Sequence, residues 1–175
     1  MTTRQIRTTT TSAREELADA LQALFVAELQ APSKPIWIVT PWISDVPIID
    51  NRTGRFGGLL PDFPQRWIRL TELLVHQLAL GGSITIACRP IDHNQSFTNQ
   101  LERRCAERGF ESRLAIRFGE ELHEKGILTT HILISGSMNL TFNGLRRLEE
   151  VIQISDDPDL IGRTRNAYKD RWGAP

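Results

Sequence analysis

Four side chains in the stretch 122–144, LHEKGILTTHILISGSMNLTFNG, are of types that can do chemistry on a phosphate: His123, Lys125, Ser137 and Asn139. Residues i and i+2 of an extended chain point to the same face, so His123 pairs with Lys125 and Ser137 with Asn139. Two short apolar runs lie between the pairs, Gly126-Ile127-Leu128 and Ile132-Leu133-Ile134, separated by Thr129, Thr130 and His131. That spacing predicts a β-hairpin that brings position 123 roughly opposite position 137. The pairs then converge at the open end of the hairpin. Lys, Ser and Asn can hydrogen-bond phosphate oxygens, and the ammonium favours the negative charge that builds up in phosphoryl transfer. An imidazole can serve as nucleophile or as general acid and base near neutral pH. The stretch holds no cluster of carboxylates for a divalent cation, so the expectation is a mechanism without metal or other cofactor.

Together these residues resemble the phospholipase D superfamily, whose pattern runs H-x-K, four residues, D, then G-S-x-N. His123, Lys125, Gly136, Ser137 and Asn139 match, and Leu140-Thr141 follows as is typical. Thr130 stands where the pattern has its Asp, which leaves reduced or lost activity open. The resemblance also implies a Glu at the next strand that orients the catalytic His. Glu149 is favoured by the apolar strand that follows it, and Glu150 is equally compatible with the spacing from Asn139. One copy of the motif per chain resembles the short single-motif nucleases, which build one site from two identical chains. There one His attacks phosphorus and its partner protonates the leaving oxygen. The resemblance spans about 35–172 and is specific in 122–154. What it implies is a phosphodiesterase acting on DNA as a homodimer. The alternatives are a catalytically weak phosphate-pocket subunit that binds nucleic acid in a larger complex and, last, a lipid phosphodiesterase. The first strand, IWIVTPWISD, and the small size further resemble the phospholipase D-like proteins of bacterial defence and DNA-modification islands. These include the member of clusters that put 7-deazaguanine derivatives into DNA, with helicases or other defence proteins as partners.

The rest of the chain must position these groups. Its 175 residues suit one domain, and an apolar fraction of 40% suffices for a single core. The formal net charge of zero argues against a strongly basic nucleic-acid binder. Basic residues nevertheless gather at Arg4, Arg7 and Arg14, and at Arg103, Arg104, Arg108, Arg113 and Arg117. The two cysteines, Cys88 and Cys105, have no metal-ligand spacing, and Cys88 reads as a buried thiol in a strand. No apolar leader or spanning segment is present, so the expectation is a cytoplasmic protein that does not enter a membrane.

Residues 1–11 are Thr-rich, with almost no apolar content, and read as a flexible N-terminal segment before a single domain over 12–175. A helix is expected over about 13–30, capped by Thr11 or Ser12. Strand 36–39 follows, then a long irregular connection over about 44–64, a helix over about 66–80 and the strand SITIACRP. A helix over about 95–108, the strand RLAIRF, the hairpin, the strand EVIQI and a helix over about 158–172 complete the chain. This alternation predicts an α/β fold, a mixed β-sheet with helices on both faces. Ligands bind outside strand ends in such sheets. Trp42, Ser44 and Asp45 after the first strand, and Arg89, Asp92, His93 and Asn94 after the second, are therefore candidates to meet a substrate.

Overall fold

The structure, a computed structural model, describes residues 3–59, 61 and 63–175. In chain order its elements are β1 Thr3–Arg7, α1 Thr11–Gln30, β2 Ile36–Val39, β3 Pro47–Asp50, β4 Trp67–Arg69, α2 Leu70–Ala79, β5 Ile84–Cys88, α3 Asp92–Ala106, β6 Leu114–Phe118, β7 Gly126–Leu128, β8 Leu133–Gly136, α4 Phe142–Arg146, β9 Val151–Ser155 and α5 Pro158–Trp172. Seven strands form one mixed sheet in the order β1-β9-β8-β7-β2-β5-β6. β2, β5 and β6 run parallel, and the remaining neighbours are antiparallel. The α/β class and the helices on both faces are as the alternation predicts.

The central strand β2 shows why the sheet needs cover on both sides. All four of its residues are buried. Ile36 and Ile38 belong to the larger core with Leu17, Leu21 and Phe25 of α1 and with Leu73, Leu74 and Leu78 of α2. Trp37 and Val39 face the other way, into a smaller core with Ile161, Tyr168 and Trp172 of α5. Alternate side chains of one strand thus serve two layers. Both thiols are buried and unpaired, and burial pushes each up to about 11.

Three expectations need correction. The N-terminal segment is not loose: residues 3–7 pair antiparallel with β9, Ile6 against Ile152, and Ile6 is buried. Residues 1 and 2 lie outside the described residues. A single inward apolar side chain suffices for an edge strand, whose outer face stays polar. Secondly, the connection 44–64 carries β3, and β4 pairs with it in a separate two-stranded ribbon, which delays the start of α2 to Leu70; positions 60 and 62 are not described. Thirdly, the cap of α1 is Thr10, whose Oγ1 accepts from Ala13 N at 3.2 Å.

Candidate functional site

The hairpin forms where expected. Gly126 pairs with Ser135, Ile127 with Ile134 and Leu128 with Leu133, and Thr129 N donates to Ile132 O at 2.9 Å to close it. Extending that register outward sets His123 opposite Met138, one residue from the expected match. His123, Lys125, Ser137 and Asn139 all line one open cleft of about 620 Å³, with Trp42, Glu124, Ser135 and Gly136. The four candidate groups are therefore brought together. Gly136 makes the corner possible. Its φ of +145° is one that residues with a side chain rarely adopt, and a Cβ there would collide with the Val151 carbonyl oxygen. Ser137 is then held at the mouth, with its N donating to Val151 O at 3.0 Å and its Oγ accepting from Val151 N at 3.0 Å.

The carboxylate that reaches the motif is Glu150, not Glu149. Ser137 Oγ donates to Glu150 Oε2, and Glu150 is buried, whereas Glu149 is exposed. Alternation along the extended segment explains the choice. Ile152 points into the core and Gln153 outward, so 150 falls on the inward set and 149 on the outward one. The carboxylate also bonds the serine and not the imidazole. No carboxylate among the described residues hydrogen-bonds His123. Its Nδ1 faces Lys125 Nζ at 3.4 Å, and the same ammonium donates to the His123 carbonyl. The Lys125 ammonium is pushed below its ordinary pKa by partial burial; Glu150 pulls the other way and the positive charge of Arg89 adds to the lowering.

Two loops build the rim. Thr40 Oγ1 donates to Trp42 O at 3.0 Å and to Asn139 Oδ1 at 3.4 Å, which ties β2's end to the motif. Ser44 N donates to Leu140 O at 3.0 Å. The buried Asn94 joins this loop to the one after β5. Its Oδ1 accepts from Ile43 N at 2.9 Å, and its Nδ2 donates to Pro41 O and Arg89 O, each at 2.8 Å. Ser44 Oγ and His93 Nε2 are 2.9 Å apart. Of the strand-end candidates, Trp42 alone lines the cleft. Asp45 instead pairs with Arg69 at 2.9 Å, and Asp92 is exposed.

Thr130 stands away from this cleft, at the closed end of the hairpin. Its N and Oγ1 both bond Ser33 Oγ, at 2.8 and 3.1 Å. The departure from the motif's Asp thus changes a turn and removes nothing from the cleft. Of the basic stretches, Arg4 pairs with Glu16 at 2.8 Å, Arg113 bonds the Leu78 carbonyl, and Arg117 bonds Trp172 O at 2.9 Å. Among the described residues no group of three or more His, Cys, Asp or Glu is gathered to hold a metal ion, and no helix is long and apolar enough to cross a membrane.

The sequence matches no protein-family model and no curated protein. Solved structures do share its fold. NucT from Helicobacter pylori superposes with a TM-score of 0.62 at 12% identity, over 97% of this chain and 94% of that one. The phospholipase D family member Nuc from Salmonella typhimurium gives 0.60 at 16% identity, over 99% and 95%. Polyphosphate kinase from Porphyromonas gingivalis gives 0.62 at 10% identity, where this chain spans 99% of itself and 26% of the larger protein. The mixed seven-stranded sheet with its flanking helices is the fold of the phospholipase D family member Nuc, along nearly the whole length of both chains.

Proposed function

We propose that this protein is a metal-independent phosphodiesterase that cleaves DNA through a phosphohistidine on His123. The single observation that carries the reading is the convergence of His123, Lys125, Ser137 and Asn139 on one open cleft at the mouth of the hairpin. In this account an imidazole nitrogen of His123 attacks phosphorus and forms a P–N bond as the bond to the leaving oxygen breaks. Lys125, Ser137 and Asn139 hold the non-bridging oxygens as charge accumulates on them. A second imidazole protonates the leaving oxygen, then takes a proton from the water that attacks phosphorus and releases His123.

That second imidazole is assigned to His123 of another copy of the chain. A two-fold axis through the cleft supplies nucleophile and acid from one residue type. The second copy also offers a source for the carboxylate contact that His123 does not find among the described residues. Thr130 gives no support to a weakened site, because it lies at the far end of the hairpin. The placement beside helicases in a DNA-modification or defence system rests on the resemblance of the chain's first strand.

The test is cleavage of DNA in excess chelator, followed by subunit mixing with His123→Asn. A shared site predicts activity that survives chelation and falls with the square of the wild-type fraction. A linear fall removes the shared site. DNA binding with no cleavage in either condition favours the phosphate-pocket subunit, and turnover of phospholipid vesicles alone favours a lipid substrate.

A further inference from the structure

Arg89 is held by directed contacts at the rim of the cleft. Its Nε donates to the Leu122 carbonyl at 2.9 Å, the residue before His123, and its guanidinium carbon lies 5.1 Å from the centroid of the Trp42 ring. Trp42 itself lines the cleft. The Arg89 backbone is fixed too, through its N to Pro41 O at 3.3 Å and its carbonyl to Asn94 Nδ2. Backbone, Nε and one flat neighbour thus set the direction of the side chain. Among the described residues no carboxylate pairs with it, and its terminal nitrogens make no hydrogen bond. By contrast Arg4, Arg52, Arg66 and Arg69 all have carboxylate partners.

This pre-set fork sits near a second cation. The charge of Arg89 is felt at Lys125, whose ammonium it disfavours. Holding two like charges together in a half-buried site costs free energy that an anion between or beside them would recover. The motif side chains Lys125, Ser137 and Asn139 already suffice to surround one phosphate. A guanidinium with two unused donors at the same rim suits the next one, since its fork matches phosphate geometry.

We propose that Arg89 is a second phosphate-contacting residue, which grips the phosphate of a polynucleotide chain adjacent to the one held by Lys125, Ser137 and Asn139. Asn94 is its positioning residue, because it locks the loops that carry Trp42 and Arg89 to each other. The inference rests on the phosphodiesterase reading for its substrate. It gives the cleft a preference for chains with consecutive phosphates.

The experiment measures binding, so it does not depend on turnover. In a His123→Asn background, the affinity for an oligothymidylate of about ten residues is followed by fluorescence anisotropy as salt is raised. Arg89→Gln removes the charge and keeps a donor for the Leu122 carbonyl. It should weaken binding about tenfold and lower the slope of log affinity against log salt by about 0.7, the share of one phosphate on a single strand. Arg89→Lys should keep the slope and lose part of the affinity. Arg108→Ala, in the turn that follows the far end of α3, should change neither. An unchanged slope in Arg89→Gln, or an equal loss in Arg108→Ala, overturns the proposal. A loss seen only with inorganic polyphosphate overturns the polynucleotide assignment. Failure of wild type to cleave DNA would overturn the proposed function and leave this binding result readable.

Discussion

The two ends of the β7–β8 hairpin carry polar clusters of similar size and opposite character. At the open end, His123 and Ser137 are exposed, Lys125 is half-buried beside the charge of Arg89, and among the described residues Lys125 Nζ is bonded only to His123. At the closed end the buried polar groups bond one another, with Gln77 Oε1 left without a hydrogen-bond partner among the described residues. Glu28 Oε2 accepts from Ser33 N and Gln77 Nε2, and Oε1 from Ser33 Oγ, all at 2.9 Å, while Ser33 Oγ accepts in turn from Thr130. Glu28, Ser33 and Gln77 are all buried. Bonded and buried, the closed end fixes α1, α2 and the turn to one another. The open end leaves cationic donors facing solvent, which is where an anionic ligand gains most. The Asp of the motif would have fallen in the closed-end cluster, and so its replacement by Thr130 bears on the fold more than on the chemistry.

The largest effect that separates the ends is expected from His123→Asn. Cleavage should fall by a factor of about 10³ or more, with the melting temperature nearly unchanged, because an exposed imidazole contributes little to packing. Turnover and a thermal melt on the same preparation check this. Gly136→Ala comes next and breaks the open end through the backbone. The collision with Val151 and the positive φ should cost about 3 kcal/mol, read from denaturant midpoints, with loss of Ser137 placement and activity.

Glu28→Ala breaks the closed end. It strands the Ser33 amide and the Gln77 side chain without a partner, which costs about 2 kcal/mol of stability, while turnover measured well below the melting point should persist. The same carboxyl gives a pH signature. Burial raises its pKa above 4.5, against the Ser33 bonds and the charge of His131, which lower it. A native state that holds the proton more tightly than the unfolded one has this stability in full below about 4.5. It loses it as pH rises through the native pKa. Glu28→Gln should flatten that decline in a series of melts. Thr130→Asp gives the smallest change, at most about 1 kcal/mol of destabilisation near neutral pH from repulsion by Glu28, because position 130 is exposed. Turnover per folded molecule should be unaltered; a gain would return the motif's Asp to the chemistry.

Much of the site was legible because its information is local. Two pairs at i, i+2 flanking two apolar runs determine a hairpin and the face each pair occupies. The fold class follows from the same logic, element by element. What the sequence did not disclose depends on distant partners. Thr3–Arg7 looks unstructured until β9, near the other terminus, provides its ladder. Glu149 and Glu150 exchange roles with a one-residue change in where alternation begins, and the register that decides it is set by Gly136 against Ile152. Asn94 carries no motif, yet its side chain bonds three backbone groups of two loops and so positions Trp42 and Arg89.

The most direct test of the central claim, that His123 is the nucleophile at a phosphodiester, is to trap the covalent intermediate. Protein reacting with an oligonucleotide labelled at its backbone phosphates in excess chelator is quenched in alkali, where the phosphorus–histidine bond persists, and the labelled peptide is mapped by mass spectrometry. The account predicts a nucleotidyl adduct on His123, the phosphorus still esterified to the retained strand, that forms and decays with turnover and is absent in His123→Asn. Sustained cleavage with no adduct, or cleavage by His123→Asn at the wild-type rate, would contradict it.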